Sequence, residues 1–110
     1  MDARAYVHYL LTGGRIFVYG TLMRGEEAHD KMQGARFLGD VCTEPQYSLK
    51  TLGDDFEALV GRGSDSIPGE LYQASFTKLV ELDAWEYDIY VRDYIYLEDG
   101  SVADAYVLRV

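Results

Sequence analysis

Apolar and polar positions along the chain alternate in short blocks. The opening stretch, "MDARAYVHYLLTGG", is apolar in part but interrupted by His8, and it gives way to "RIFVY" at 15–19, a β-rich run with glycine on both sides. The polar "RGEEAHDKMQG" that follows supports at most a short helix, closed by Gly34. "ARFLGDV" and "QYSLKTL" read as strands, and "GDD" as a turn before "FEALVG". The stretch "GRGSDSIPG" at 61–69 is the richest in breakers and predicts a loop, from which Pro68-Gly69 delivers the chain into "ELYQASF", where Leu71 and Tyr72 begin a strand. In "SFTKLVELDAWEY" (75–87), Phe76, Leu79, Val80 and Leu82 recur at helical spacing, and Ser75 or Thr77 can cap the helix. The last two runs, "YVRDYIYL" and "VADAYVLRV", flank "EDGS", an Asp-Gly hairpin signal. The pattern predicts an N-terminal extension over 1–14 and one domain over 15–110. The fold class is α+β: a small mixed, mainly antiparallel β-barrel with one or two short flanking helices.

Composition narrows the function. A chain of 110 residues has room for one core and none for a separate cofactor domain, and 48% hydrophobic residues, with ten tyrosines, suffice to fold it. The formal net charge of -9, with no local Lys/Arg cluster, repels phosphate backbones and anionic lipid, so neither nucleic acid nor a membrane is an expected partner. Cys42 is the sole cysteine, which rules out an internal disulfide and fits a reducing compartment. The first residues resemble neither a signal peptide nor a span, and the expected location is cytoplasmic.

Two stretches carry candidate chemistry. At "VYGTL", a strand ending at Gly20 permits unusual dihedrals and close approach of a ligand, and successive N–H groups beyond it can converge on an anion. The plainer alternative is a tight turn, with Glu26-Glu27 starting a solvated helix. At "LDAWEYDIYVR", Glu86 lies near the helix C-terminus, where the macrodipole disfavours an anion. Held against Trp85, Leu82 and the tyrosines, its carboxylate would have a raised pKa and could act as a base near neutral pH; otherwise it is a surface residue paired with Arg92.

Taken in order, "FVYGTLMRGEEAH", "GELYQ", "LDAWEY" and "YVR" resemble the gamma-glutamylcyclotransferase-like family, which includes gamma-glutamylamine cyclotransferases and AIG2-like proteins, over about residues 15–110. The resemblance implies a small mixed β-barrel, a substrate-binding turn formed by Tyr19, Gly20, Thr21 and Leu22, and Glu86 as the acid/base. Tyr90 and Arg92 match the Tyr and Arg after the family's helix, and Arg92 either steers a substrate carboxylate or pairs with Glu86 or Asp88. The chain departs from the family pattern at Tyr87, after the catalytic Glu, and at Phe56-Glu57-Ala58, which adds a negative charge.

The implied reaction needs no cofactor, no metal and no enzyme nucleophile. The α-amino group of a small γ-glutamyl compound attacks its own γ-carbonyl, closes the ring of 5-oxoproline and expels an amine. The alternative is a non-catalytic domain of the same fold that binds a small metabolite or a protein.

The remaining polar residues read as structural. His8 and His29 are too far apart to suggest a metal site without more ligands, and His29 reads most simply as solvated, with pocket lining the alternative. Cys42 reads as a small core residue. Asp54, Asp55 and Glu57 read as a solvated turn, and Tyr87, Tyr90, Tyr94 and Tyr96 as cross-strand packing.

Overall fold

A computed structural model describes residues 14–53, 56–86 and 89–108. The proposed extension with His8, together with Asp54, Asp55, Tyr87 and Asp88, lies outside the described residues, except that Gly14 already belongs to the first strand.

Among the described residues, seven strands form one mixed sheet: β1 (Gly14–Val18), β2 (Arg36–Cys42), β3 (Tyr47–Leu52), β4 (Phe56–Asp65), β5 (Pro68–Ala74), β6 (Tyr90–Tyr96) and β7 (Val102–Leu108). Their order is β2-β5-β1-β7-β4-β3, with β6 also paired to β7. The β1/β5, β2/β5, β3/β4 and β6/β7 pairs are antiparallel, while β7 runs parallel to β1 and β4.

The expected barrel does not close. The chain after β2 meets the end of β6 through one bridge, Thr43↔Leu97, flanked by the Glu44 N–H donating to Tyr96 O and the Glu98 N–H donating to Cys42 O. Pro45 then offers no N–H to extend this pairing into a ladder.

Side-chain alternation along central β1 builds two cores. Ile16 and Val18 face the helix side with Leu22, Met32, Tyr72, Leu79, Leu82 and Tyr106, while Phe17 faces the opposite core of Tyr47, Leu59, Ile67, Leu71, Ile95 and Leu97. The helix α1 (Phe76–Trp85) starts at Ser75, whose Oγ accepts from the Lys78 N–H at 3.1 Å. Of its four periodic apolar residues only Leu79 and Leu82 are buried; Phe76 and Val80 are 36% and 48% exposed, since a short helix on a sheet has one covered side. The polar stretch after β1 forms only a short 3-10 helix, His29–Met32.

A second correction concerns the predicted loop at 61–69. Gly61–Asp65 continue β4, and the pairing jumps from Ser48↔Val60 to Tyr47↔Asp65, so the intervening residues are accommodated as an irregularity within the strand. Gly63 makes this possible: its φ is +151° and a Cβ there would collide with the carbonyl of Tyr47. Pro68 and Gly69 are likewise in β5 rather than in a turn leading to it.

Candidate active site

The central feature of the fold is a change of partner along one edge of β7. Its first half pairs with β1 through Ile16↔Asp104 and Phe17↔Ala105, whereas its end pairs with β4 through Leu59↔Val107. Between them β1 must peel away, and Tyr19 fills the gap. Its hydroxyl donates to the Tyr106 carbonyl at 2.6 Å and accepts from the Leu59 N–H at 2.9 Å. Burial pushes the Tyr19 phenol well above its ordinary pKa, which keeps it a donor across the physiological range. Tyr19→Phe should therefore leave two backbone groups without their partner and lower stability by about 2 kcal/mol. An unchanged urea midpoint would contradict this role.

Where the strands diverge, a cavity of about 140 Å³ opens, small compared with the ~300 Å³ at which sites for drug-sized ligands begin. Tyr19, Gly20, Thr21 and Leu22 line it together with Trp85, Glu86, Tyr90 and Tyr106, and Val18, Ala28, Glu27 and Glu57 complete the lining. Six of the seven sequence-predicted site residues thus share one cavity. Arg92 is not in its lining: the guanidinium is engaged by Asp83, at 2.8 and 3.1 Å, and by Asp104, at 2.9 Å. The suggested Arg92–Glu86 ion pair is not formed.

Gly20 has no positive φ, and, apart from Gly20 and its chain neighbours, no atom of the described residues lies within 4 Å of where its Cβ would project. Folding does not demand glycine there, while space beside the backbone is preserved. No described hydrogen bond uses the amides of Gly20, Thr21 or Leu22, although the Met23 and Ala28 N–H groups donate back to the carbonyls of Gly20 and Thr21. The loop is anchored from outside the cavity by Glu70, 6% exposed, whose carboxylate accepts from the Arg24 amide at 2.9 Å, from Arg24 Nε at 2.8 Å and from the Tyr72 hydroxyl at 3.0 Å. Burial opposes the charged form of Glu70, but these hydrogen bonds and the Arg24 charge outweigh it and hold the carboxyl below its usual range. Burial and the neighbouring Glu70 push the Tyr72 phenol up to about 12.

Glu86 terminates α1, its N–H donating to Leu82 O at 3.0 Å. Its carboxylate has no ion-pair partner among the described residues. Burial, reinforced by the Asp83 charge, pushes its pKa up to about 7. Asp83 also accepts from the Tyr106 hydroxyl at 2.6 Å, so the aromatic wall and the Arg92 cluster are one network. Tyr90 donates to the Glu57 carbonyl at 3.0 Å, and burial, followed by the Glu86 charge, raises its phenol.

Several residues differ from the sequence reading. Glu57 lines the cavity instead of only decorating a turn. His29 is not simply solvated: its Nδ1 meets Leu22 O at 2.9 Å and its ring lies against Tyr72. Cys42 is half-buried rather than core. Tyr94 and Tyr96 pack edge to face along one side of β6, as tyrosines two apart on a strand can. Glu70, Arg24, Tyr72 and Tyr106 escaped sequence reasoning, although a Glu inside "GELY" is a signal of a buried, partnered carboxylate. No set of three or more metal-ligating side chains occurs among the described residues, and none of their helices is long and apolar enough to cross a membrane.

Comparison with known proteins follows the same lines. The family model "Gamma-glutamyl cyclotransferase, AIG2-like" matches residues 16–110. A Vibrio cholerae relative is 41% identical over 71 residues, covering 64% of this chain and 60% of its own length. The gamma-glutamylcyclotransferase family protein YtfP of Escherichia coli K12 is 39% identical over 70 residues, covering 64% of this chain and 59% of its own. The likeness thus spans little more than half the length of these relatives. Among solved structures, a uropathogenic E. coli-specific protein superposes with a TM-score of 0.82 at 26% identity, covering 87% of this chain and 79% of the other. An AIG2-like protein from Mus musculus gives 0.70 at 29% identity, covering 88% and 76%.

Proposed function

The chain belongs to the AIG2-like gamma-glutamyl cyclotransferase family, and from that premise we propose that it cyclises the γ-glutamyl group of a small amine or peptide to 5-oxoproline, releasing the amine. The observation that carries this reading is the half-buried Glu86, its pKa raised to about 7, sharing one cavity with the turn at Tyr19–Leu22.

The amides of Gly20, Thr21 and Leu22 hold the substrate carboxylate or the oxyanion that develops at the γ-carbonyl. Tyr90, Trp85 and Tyr106 line the same cavity and keep the glutamyl chain folded, which brings its own nitrogen to the carbonyl. Such intramolecular reactions reach effective molarities of about 10⁵ to 10⁸ M. Glu86 removes a proton from the α-ammonium group, the nitrogen attacks the γ-carbon, and the tetrahedral intermediate collapses with cleavage of the bond to the leaving nitrogen. Over the whole reaction the attacking nitrogen loses two protons and the leaving nitrogen gains two. A single carboxylate can relay them in turn and finish as it began. Arg92 acts at a distance in this scheme, fixing Asp83 and through it the Tyr106 hydroxyl.

The test is 5-oxoproline release from a panel of γ-glutamyl amines and dipeptides. Release by the wild-type chain supports the reading. Ligand-raised melting temperatures without any release would favour the binding-domain alternative instead. Because the base must be ionised to accept a proton, kcat/KM should climb with pH through about 7. A rate already flat from pH 5 upward would remove Glu86 as the base.

A further inference from the structure

The outer part of the same cavity is acidic. Glu27 and Glu57 line it along with Glu86, and no Lys, Arg or His among the described residues does so. Both outer carboxylates are exposed, whereas Glu86 is half-buried, so they form the mouth and Glu86 lies deeper. They come from separate elements, the loop after β1 and the start of β4, and each is held through its backbone surroundings. The Ala28 N–H next to Glu27 donates to Thr21 O at 3.0 Å, and the Glu57 carbonyl accepts from Tyr90. Neither carboxylate enters an ion pair among the described residues. Arg24 and Arg92 are engaged by Glu70 and Asp40, and by Asp83 and Asp104. Trp85, the last residue of α1, also lines the cavity and is 38% exposed, which leaves part of its indole open to a ligand.

We propose that this mouth selects γ-glutamyl compounds whose leaving amine carries a further positive charge and no carboxylate. The inference rests on the γ-glutamyl reading above and names the leaving group that reading leaves open. A glutamyl group seated with its nitrogen at Glu86 directs its amide substituent outward, past Glu27, Glu57 and Trp85. A cation there gains two carboxylates and the face of an indole. A carboxylate there meets two like charges at the site and a net charge of -9 on the whole chain.

The experiment compares three γ-glutamyl amides of matched length: one of a plain alkylamine, one of the corresponding diamine and one of the corresponding amino acid. The expected order of kcat/KM is diamine, alkylamine, amino acid. Each step should be on the order of tenfold at low ionic strength, the first from two exposed ion pairs and one cation–indole contact and the second from repulsion of a carboxylate by the same two acids, and both should shrink with added salt. The double variant Glu27→Gln/Glu57→Gln should compress the series toward equality, while Glu26→Gln, on the same loop but outside the cavity lining, should keep the wild-type ratios. Equal rates for diamine and alkylamine amides, or an order that survives in the double variant, would overturn the proposal. If none of the three is turned over, the cyclisation reading fails by itself, and calorimetric binding of the same amides decides the mouth. Tightest binding of the diamine amide supports it; equal binding or none overturns it.

Discussion

Glu86→Gln should lower 5-oxoproline release by about 10²–10⁴-fold, the usual contribution of one positioned acid–base group, while leaving the circular dichroism spectrum intact. The amide keeps the size of the side chain and loses only its ability to take up a proton. The same substitution should stabilise the protein above neutrality. In the folded state the Glu86 pKa is about 7 against an ordinary 4.5, so the native protein holds the proton more tightly than the unfolded chain does. Stability therefore falls as pH rises from about 4.5 to about 7, and the full penalty remains above that. Gln carries no such penalty. Discounted for partial exposure, the gain at pH 8 is about 1–2 kcal/mol, and it should vanish below pH 4.5. A variant that is less active but no more stable at pH 8 would indicate that Glu86 is not desolvated, and a variant with near wild-type turnover would end its assignment as the base.

Gly69→Ala should unfold or severely destabilise the chain, by about 3 kcal/mol or more. Gly69 lies in β5 where β1 approaches most closely, and a Cβ there would strike the carbonyl of Val18 and come within 2.6 Å of Phe17 Cζ. Neither neighbour can retreat. The Val18 carbonyl belongs to a strand pairing through Val18↔Glu70, and Phe17 is wholly buried. Because the strain falls at the exit of β1, any folded fraction should also have a displaced Tyr19–Leu22 turn. Denaturant unfolding would check this, and a midpoint within experimental error of wild type would show that the strands can separate at no cost. Gly20→Ala makes the natural contrast, since no described residue beyond its chain neighbours stands within 4 Å of its missing Cβ.

Much of the sheet was legible because the signals were local. Alternating apolar runs bounded by glycine marked β1, β2, β3 and β5, Asp99-Gly100 marked the β6–β7 hairpin, and Ser75 marked the start of α1. The glycines of 61–69 misled because a glycine reads as a breaker whether it serves a turn or a close approach. Gly63 and Gly69 are required by what lies opposite them, Tyr47 and Val18, and these are distant in sequence. Glu86 was legible as a base candidate because a carboxylate at a helix C-terminus beside Trp and Leu already implies a disfavoured charge. The fate of Arg92 was not: Asp83, Asp104 and Glu86 are all chemically suitable partners, and it is the β6/β7 register, Arg92↔Tyr106, together with the packing of α1 that places it beside Asp104 and Asp83.

What the sequence determined by itself was the set of strands and the helix, the mainly antiparallel α+β class and the family, all of which depend on residue type and short-range spacing; it also offered the Tyr19–Leu22 turn and Glu86 as candidates for the site. The tertiary structure decided that the chain after β2 meets β6 through the single bridge Thr43↔Leu97 and the barrel stays open, that Tyr19 bridges β7 and β4, that Glu70 anchors the loop and that two further carboxylates line the cavity. Each of these joins segments far apart in the chain. Hydrogen-bond partners, desolvation and cavity shape are properties of such juxtapositions, and no local pattern encodes which of several suitable groups will meet.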